Sequence, residues 1–233
     1  MDIACSDKVC YILFGTPMKT RVKICCIASE EEAKMAISFG ASALGLVAAM
    51  PSGPGPIPDD LIRRIARSVP PPVATFLLTC KTQAGAIVAH HLRTQTGTLQ
   101  LVDAPEAGAI AAIRLVLPVI KIVQVIHVRS EGSIDEALSA AGEADALLLD
   151  SGNPALAVKE LGGTDRVHDW RLSRMIVDQS PVPVFLAGGL NAENVRAAID
   201  QVQPFAVDVC SGVRTNGHLD PRKLAAFFNA VWK

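Results

Sequence analysis

The feature that most constrains the fold is a regular alternation, from Arg21 onward, of short apolar runs with helical patterns. Several runs are apolar throughout, as expected of strands that are covered on both faces of a parallel sheet. The predicted strands are Val22–Cys25, Ala43–Val47, Val73–Leu78, Thr98–Val102, Val119–Val125, Ala146–Asp150, Val184–Ala187 and Ala206–Val209. Eight strands, each followed by a helix, predict a closed (β/α)8 barrel.

Local signals support several helix boundaries. Ser29 followed by Glu32 is a capping box before a helix predicted at Glu30–Phe39. Asn191 is the predicted N-cap of a later helix, Ala192–Asp200. These signals place helical segments between the apolar runs, as the barrel requires.

A single domain is predicted, because 233 residues suit one α/β barrel and no internal linker divides them. The alternative is a doubly wound open sheet, which usually carries a Gly-rich turn after its first strand. This chain has Cys26, Ile27 and Ala28 there. The predicted fold is therefore α/β, a single (β/α)8 TIM barrel over residues 18–233, with residues 1–17 as an N-terminal extension of unknown role. The Pro- and Gly-rich segment 51–56 is predicted to be a loop on the active face.

Composition argues against several classes of function. A net charge of −1 and an aromatic content of 4% disfavour nucleic-acid binding and attraction to anionic membranes. The apolar run at 10–14 is too short to cross a bilayer. The six cysteines lack C-x-x-C spacing and the five histidines lack metal spacing. We therefore expect free thiols in a reducing compartment, hence a cytoplasmic protein, and no metal site.

Charged residues within two apolar strands predict a buried ion pair. Alternation along the first strand places Lys23 and Cys25 on one side. Asp208 lies in the last strand, which neighbours the first in a closed barrel, so a Lys23–Asp208 pair would satisfy two costly buried charges. A nearby cation would favour the Cys25 thiolate. The alternative is that Cys25 is a small buried hydrophobic residue.

Asp150 follows three leucines at the C-terminal end of a predicted strand. Residues at this end of barrel strands are typically catalytic. The alternative is a turn or N-cap role of Asp150 before Ser151 and Gly152. From its position alone, the two interpretations are equally supported.

Glycine-bearing turns after the last two predicted strands favour phosphate binding. Gly188 and Gly189 follow the seventh strand, and Ser211 and Gly212 follow the eighth. Loops after these two strands bind phosphate in many barrels, through backbone N–H groups that glycine leaves accessible. Either turn alone could simply end a strand, so the evidence lies in their joint position. A further segment, Gly162-Gly163-Thr164, is a candidate lid over the site or an ordinary surface loop.

Together these motifs resemble the phosphoribosylanthranilate isomerase family of tryptophan biosynthesis. The resemblance runs from about Met18 to Lys233. The matching stretches are Lys23–Cys25, Phe39–Val47, Leu147–Asp150, Gly162–Thr164 with His168–Trp170, Ala187–Val195 and Val207–Val213.

The resemblance implies a cofactor-free (β/α)8 enzyme that acts on a small phosphosugar. The family converts N-(5-phosphoribosyl)anthranilate to 1-(2-carboxyphenylamino)-1-deoxyribulose 5-phosphate by an Amadori rearrangement. Its general base matches Cys25 and its general acid matches Asp150. By the same resemblance, the phosphate would lie on Gly188, Gly189, Ser211 and Gly212, and Asp208 would lie near the substrate. Such enzymes are monomers or homodimers, so either state is expected.

The sequence departs from the family pattern at four places. Cys26 and Cys210 stand where the family has Gly and Ser. The loop at 51–56 lacks the Arg that helps to hold the anthranilate carboxylate, and the family's Gln-Leu-His-Gly appears as Gln100-Leu101-Val102-Asp103. Two alternative functions follow. The missing Arg favours a paralogue that performs aldose–ketose isomerisation on another phosphosugar. A non-catalytic phosphometabolite-binding barrel is the other, and retention of both catalytic residue types argues against it.

Overall fold

The computed structural model describes residues 19–51, 53–152 and 168–233. Within this part of the chain, eight parallel strands close into a barrel in sequence order, and the last strand pairs with the first. The strands are β1 (Arg21–Ile24), β2 (Ala43–Val47), β3 (Ala74–Thr79), β4 (Thr98–Leu101), β5 (Lys121–His127), β6 (Ala146–Asp150), β7 (Val184–Leu186) and β8 (Ala206–Val209). The predicted (β/α)8 barrel is confirmed.

Helices follow the barrel strands and pack around them. They are α1 (Glu30–Ser38), α2 (Asp59–Ser68), α3 (Ala84–Thr94), α4 (Ala109–Val116), α5 (Gly132–Ala141), α6 (Trp170–Gln179), α7 (Val195–Val202) and α8 (Pro221–Val231). A short 3-10 helix, Ser211–Val213, and a two-stranded hairpin, β9 (Arg214–Thr215) and β10 (His218–Leu219), lie between β8 and α8.

Most predicted strand boundaries agree with the structure to within two residues. The bounds of β2, β6 and β8 are as predicted. Strand β5 starts two residues later than predicted, because Val119 is exposed on the surface before the strand begins. Strand β1 ends at Ile24, so Cys25 lies just beyond it. Apolar runs in the sequence therefore located the strands correctly. They did not give the first residue of β5, because the sequence does not show that Val119 is exposed.

Helix α7 begins three residues later than predicted. The Asn191 side chain accepts hydrogen bonds from the N–H groups of Glu193 (2.9 Å) and Asn194 (3.2 Å), which closes a turn before the helix. Asn194, and not Asn191, is therefore the N-cap. Asn191 caps a local turn instead, a role that asparagine side chains share with helix capping.

The apolar residues form two separate layers. Isoleucine, leucine and valine side chains on the outer face of the strands pack against the helices. The barrel interior is filled by a second cluster in which Phe76 and Phe185 meet edge to face, with ring centroids 5.8 Å apart. This interior packing closes the lower part of the barrel and leaves polar groups at its C-terminal mouth.

Candidate active site

Lys23 in β1 and Cys25 directly after it both point into the barrel. Val22 and Ile24 alternate with them and pack in the outer layer against the helices. The N–H of Cys25 donates to the Val209 carbonyl at 2.8 Å, which continues the pairing of β1 with β8 past the end of the strand. This pairing fixes the Cys25 backbone at the C-terminal mouth, with its side chain buried.

The predicted ion pair between Lys23 and Asp208 is present. The two residues are register partners in β1 and β8, and Lys23 Nζ lies 2.8 Å from Asp208 Oδ2. Burial alone would lower the pKa of Lys23, but the carboxylate of Asp208 and the neighbouring Cys25 and Cys26 together outweigh burial and raise that pKa. Burial raises the pKa of Asp208, and the Lys23 ammonium opposes that rise. Lys23 is therefore a fixed cation below the mouth of the barrel.

Gly45 in β2 provides the space for these two side chains. A Cβ atom at Gly45 would lie 2.9 Å from Cys25 Sγ and 3.1 Å from Lys23 Nζ. Only glycine therefore allows the thiol and the ammonium to lie side by side here. Sequence reasoning missed this residue, although a glycine within an apolar strand was a usable signal of close approach.

Asp150 ends β6 at the same mouth and is buried. Its Oδ1 accepts a hydrogen bond from the Ser151 N–H at 2.7 Å. Burial raises the pKa of Asp150 from 3.8 to about 6, with a further contribution from the negative charge of Asp208, while the Ser151 N–H opposes the rise. Asp150 thus retains a proton to a much higher pH than an exposed aspartate.

The pKa of Cys25 is shifted in the opposite direction. A hydrogen bond from the Cys26 thiol lowers the pKa of Cys25, burial opposes this, and the Lys23 ammonium lowers it further. Hydrogen bonding with the Cys210 thiol raises the pKa of Cys26 most, and hydrogen bonding with Cys25 and burial raise it further. A carboxyl group with a raised pKa and a thiol with a lowered one are the combination that acid–base catalysis requires.

The two glycine-bearing turns lie at the same mouth. Gly188 and Gly189 have φ angles of +88° and +61°, a conformation that glycine adopts without steric cost. A Cβ at Gly212 would lie 2.0 Å from the Leu190 carbonyl oxygen, so glycine is needed there for close packing of the two turns.

One cavity at the C-terminal mouth is lined by six of the seven predicted site residues. These are Cys25, Asp150, Gly188, Gly189, Asp208 and Ser211. Gly212 does not line it and instead packs behind Ser211, against the Leu190 carbonyl. Met50, Gly53 and Pro54 from the loop after β2 also line the cavity. The prediction that segment 51–56 is a loop on the active face is therefore confirmed for Gly53 and Pro54, and Met50 directly precedes that segment.

Comparison with known proteins identifies the family. The sequence profile described as N-(5'phosphoribosyl)anthranilate (PRA) isomerase matches residues 22–230. The phosphoribosylanthranilate isomerase of Methanocella arvoryzae is 36% identical over 194 residues, which cover 83% of this chain and 89% of that protein. The chain belongs to the phosphoribosylanthranilate isomerase family.

Solved structures of this family have the same fold. A phosphoribosylanthranilate isomerase in complex with reduced 1-(o-carboxyphenylamino)-1-deoxyribulose 5-phosphate is 30% identical, with a TM-score of 0.72. Monomers generated from the dimeric enzyme of Thermotoga maritima are 29% identical, with a TM-score of 0.73. Each comparison covers 91% of this chain and 98% of the other.

The structure explains how the chain accommodates Cys26 at a position where the family pattern has glycine. Cys26 has a φ angle of +61°, in the left-handed region that costs most residues about 1–2 kcal/mol. Gly55 in the loop after β2 leaves room for it, since a Cβ at Gly55 would lie 2.6 Å from Cys26 Cβ. Cys26 is therefore accommodated by a glycine in the facing loop.

A buried ion pair missed by sequence reasoning holds the Cys25–Cys26 turn. Arg214 Nη2 donates to the carbonyl oxygens of Cys26 (2.6 Å) and Cys25 (3.2 Å), and Nη1 lies 3.0 Å from Glu32 Oε1. Glu32 was predicted as part of the capping box. Its N–H does donate to Ser29 Oγ at 3.2 Å, but its carboxylate accepts from the N–H of Ala28. No local spacing signals the contact with Arg214, which is 182 residues away.

The aromatic-acid end of the site differs from the family pattern. None of the described residues that line the cavity is a lysine or an arginine. Gln100 lines it, and its buried side-chain oxygen has no hydrogen-bond partner among the described residues. The candidate lid Gly162-Gly163-Thr164 falls in 153–167, outside the part of the chain that the structure describes.

Two other kinds of feature are absent from the described ranges. No group of three or more His, Cys, Asp or Glu side chains there is arranged to hold a metal ion. No helix there is long and apolar enough to cross a membrane.

Proposed function

We propose that the chain is a phosphoribosylanthranilate isomerase in which Asp150 is the general acid and Cys25 the general base. Its family membership supports the reaction, and the site geometry supports the two assignments. The observation that carries them is that a carboxyl group with a raised pKa and a thiol with a lowered pKa line one cavity. A thiol in a purely structural position would have no reason to lie beside a buried ammonium.

Two proton transfers at these side chains account for the rearrangement. Asp150 donates its proton to the furanose ring oxygen, and the C1′–O bond breaks to give an open-chain iminium ion. The Cys25 thiolate then removes the proton from C2′, which yields an enolamine that tautomerises to the aminoketose. The sequence needs Asp150 protonated and Cys25 ionised at the start, which is the direction of both pKa shifts.

The remaining predicted site residues have proposed roles in binding and positioning. Gly188, Gly189 and Ser211 line the cavity and would bind the phosphate, with Gly212 setting the spacing of their two turns. Asp208 holds Lys23 beside Cys25, so it acts on the base through that ammonium. The partner is then a small phosphosugar, and either the monomer or a homodimer is compatible with this site.

A related isomerase with another phosphosugar substrate is the second candidate. It is favoured by the lack of lysine or arginine among the described lining residues, because a bidentate Arg is the usual partner of a carboxylate. The non-catalytic binding barrel is disfavoured, because phosphate binding requires neither of the opposed pKa shifts. A base that must remain a free thiolate also fits a reducing, cytoplasmic location.

The test follows the loss of fluorescence of freshly made phosphoribosylanthranilate. Cys25→Ala and Asp150→Asn should each lower kcat by about 10²–10⁴-fold, the usual contribution of a general acid or base. Cys26→Ala should have a mild effect, since it removes only a hydrogen bond to the base. Matched controls are Cys80→Ala, a thiol outside the cavity, and Asp145→Asn, at the other end of β6.

The outcomes separate the candidates. An active protein that loses turnover in both catalytic variants supports the proposal. A wild-type protein that binds phosphate but does not turn over phosphoribosylanthranilate leaves the paralogue or the binder. A large effect of Cys26→Ala with a small effect of Cys25→Ala would show that the base was assigned to the wrong thiol.

The domain prediction needs its own measurement. The family match starts at residue 22, which suits a barrel domain over 18–233. Residues 1–17 lie outside the described residues. Removal of residues 1–17 should leave the free energy of unfolding and kcat/KM unchanged if they are an extension, and a large loss of either would place them in the folded domain.

A further inference from the structure

Cys26 and Cys210 form a close thiol pair at the rim of the active site. The Cys210 thiol donates to Cys26, and the two Sγ atoms are 2.7 Å apart. A disulfide bond is about 2.05 Å long, so the sulfurs need to approach by only about 0.7 Å to become bonded. Both residues are free cysteines, and both line the cavity.

The backbone around the pair holds both sulfurs in place. Cys26 follows β1 and Cys210 follows β8, and these strands are adjacent in the barrel. Arg214, four residues after Cys210, donates to the Cys26 carbonyl oxygen at 2.6 Å. The two sulfurs therefore meet through the strand pairing of the barrel and do not depend on a mobile segment to bring them together.

We propose that Cys26 and Cys210 are a modification site at which hydrogen peroxide oxidises the two thiols to a reversible disulfide. Cys210 is the more exposed of the two, and its sulfur, as thiolate, attacks a peroxide oxygen. The O–O bond breaks, one water leaves, and Cys210 becomes a sulfenic acid. The Cys26 sulfur then attacks the Cys210 sulfur, and the S–O bond breaks with release of a second water. The two thiols lose two hydrogens and two electrons, and the peroxide is reduced to two waters.

The disulfide would also affect the neighbouring base, a consequence that rests on the proposed function. The Cys26 side chain, through its S–H, is the largest of the influences that lower the pKa of Cys25. In the disulfide this S–H donor no longer exists. Bond formation also moves Cys210, which directly precedes Ser211 at the phosphate end of the cavity. The oxidised protein should therefore turn over more slowly, and a dithiol reductant should restore it.

Peptide mapping tests the bond independently of any activity. The reduced full-length chain is treated with hydrogen peroxide, alkylated and digested with trypsin without reductant. Cys26 lies in the peptide 24–34 and Cys210 in 197–214. We expect these two peptides to be linked, with a mass two hydrogens below their sum. Cys26→Gly, which suits the positive φ, and Cys210→Ser should each abolish the link.

Two further variants identify the sulfurs, because the peptide 24–34 also contains Cys25. Cys25→Ala should retain the link, and Cys80→Ser, which lies elsewhere on the rim, should retain it too. The proposal is overturned if peroxide gives no link in the wild type, if the link persists in Cys26→Gly, or if Cys25 and Cys26 pair with each other instead.

Turnover is compared for each variant before and after oxidation, so that a change in its basal rate does not matter. The wild type should lose turnover several-fold on oxidation, more than the reduced Cys26→Ala variant does, because the disulfide both removes the Cys26 S–H and displaces Cys210 beside Ser211, and it should recover with dithiothreitol. Cys210→Ser should keep a ratio near one. A link without loss of turnover would overturn the regulatory effect. A reduced wild type that is inactive on phosphoribosylanthranilate would instead count against the proposed function, while the peptide map still decides the disulfide.

Discussion

Replacing Asp150 by asparagine should stabilise the protein at neutral pH while removing its general acid. The Asp150 carboxyl has a pKa of about 6 in the folded barrel, compared with 3.8 in the unfolded chain. At neutral pH this carboxyl group is mostly ionised, although burial favours its neutral form. The buried charge therefore lowers the stability of the folded state. Asparagine has no charge to bury, and its side-chain oxygen can still accept the hydrogen bond from the Ser151 N–H.

The size of the effect follows from the shift. A rise from 3.8 to about 6 corresponds to about 3 kcal/mol, at about 1.4 kcal/mol per unit. Because the folded-state pKa of Asp150 is raised, the folded state binds more protons than the unfolded state between these two values. The wild type is thus most stable, relative to the variant, below pH 3.8, and loses that advantage as the pH rises through 6. The gain from Asp150→Asn should be about 1.5 kcal/mol at pH 5 and about 3 kcal/mol above pH 7.

Urea unfolding at pH 5, 6, 7 and 8, followed by tryptophan fluorescence and far-UV circular dichroism, measures this gain. The matched control is Asp145→Asn at the opposite end of β6. Asp145 is partly buried, which would raise its pKa. Hydrogen bonds from the Ile122 N–H, Lys121 and Arg114 lower it further than burial raises it. Its stabilising contribution is present at neutral pH and is lost as the pH falls, so this control should be destabilised most at high pH.

The two aspartates should thus give pH dependences of opposite sign. A variant Asp150→Asn that is less stable than the wild type at pH 7, or whose stability difference does not change between pH 5 and 8, would refute the conclusion that burial raises the pKa of this carboxyl group. The same pH dependence of the stability difference in the two variants would refute it as well.

Two further substitutions test the support of Cys25. Lys23→Met should lower the free energy of unfolding, measured by urea titration, by about 3–5 kcal/mol, because Asp208 is left buried without its ion-pair partner. The double variant with Asp208→Leu should recover most of that loss. Gly45→Ala should lower the free energy of unfolding by about 1–3 kcal/mol, and it should lower kcat/KM at least about tenfold because the added Cβ displaces the Cys25 thiol. In the control Gly97→Ala the added Cβ has no close contact, so neither quantity should change.

The sequence was sufficient for the features of the site that depend on strand periodicity. Lys23 and Cys25 had to share a side of β1, and Asp208 lay in the strand that closes the ring, so their ion pair followed from alternation and closure alone. Asp150 was located because β6 is continuously apolar up to that residue. Burial determines where a strand lies and which side each of its residues faces. The pattern of apolar and charged residues along the strand indicates this burial.

Features that depend on turn geometry or distant contacts were not predictable in this way. The approach of Cys210 to Cys26 depends on a left-handed backbone at Cys26, and a positive φ at a non-glycine residue leaves no pattern in the sequence. The contact of Arg214 with Glu32 joins residues that no periodicity relates. Gly45 is an intermediate case, because its place within an apolar strand was visible but the side chains that it accommodates were not.

The balance of charge in the cavity explains how a neutral acid and a thiolate coexist there. Asp208 neutralises Lys23, so Asp150 would be a second buried carboxylate beside one ammonium, and its neutral form is favoured. A substrate that carries a phosphate and a carboxylate adds negative charge to a cavity whose described lining has no lysine or arginine. This field favours the protonated form of Asp150 and opposes ionisation of Cys25. Ionisation of Cys25 then depends on the two nearby groups that lower its pKa, Lys23 and the Cys26 thiol. Loss of the Cys26 thiol to a disulfide would remove one of these two groups and make the thiolate less favourable.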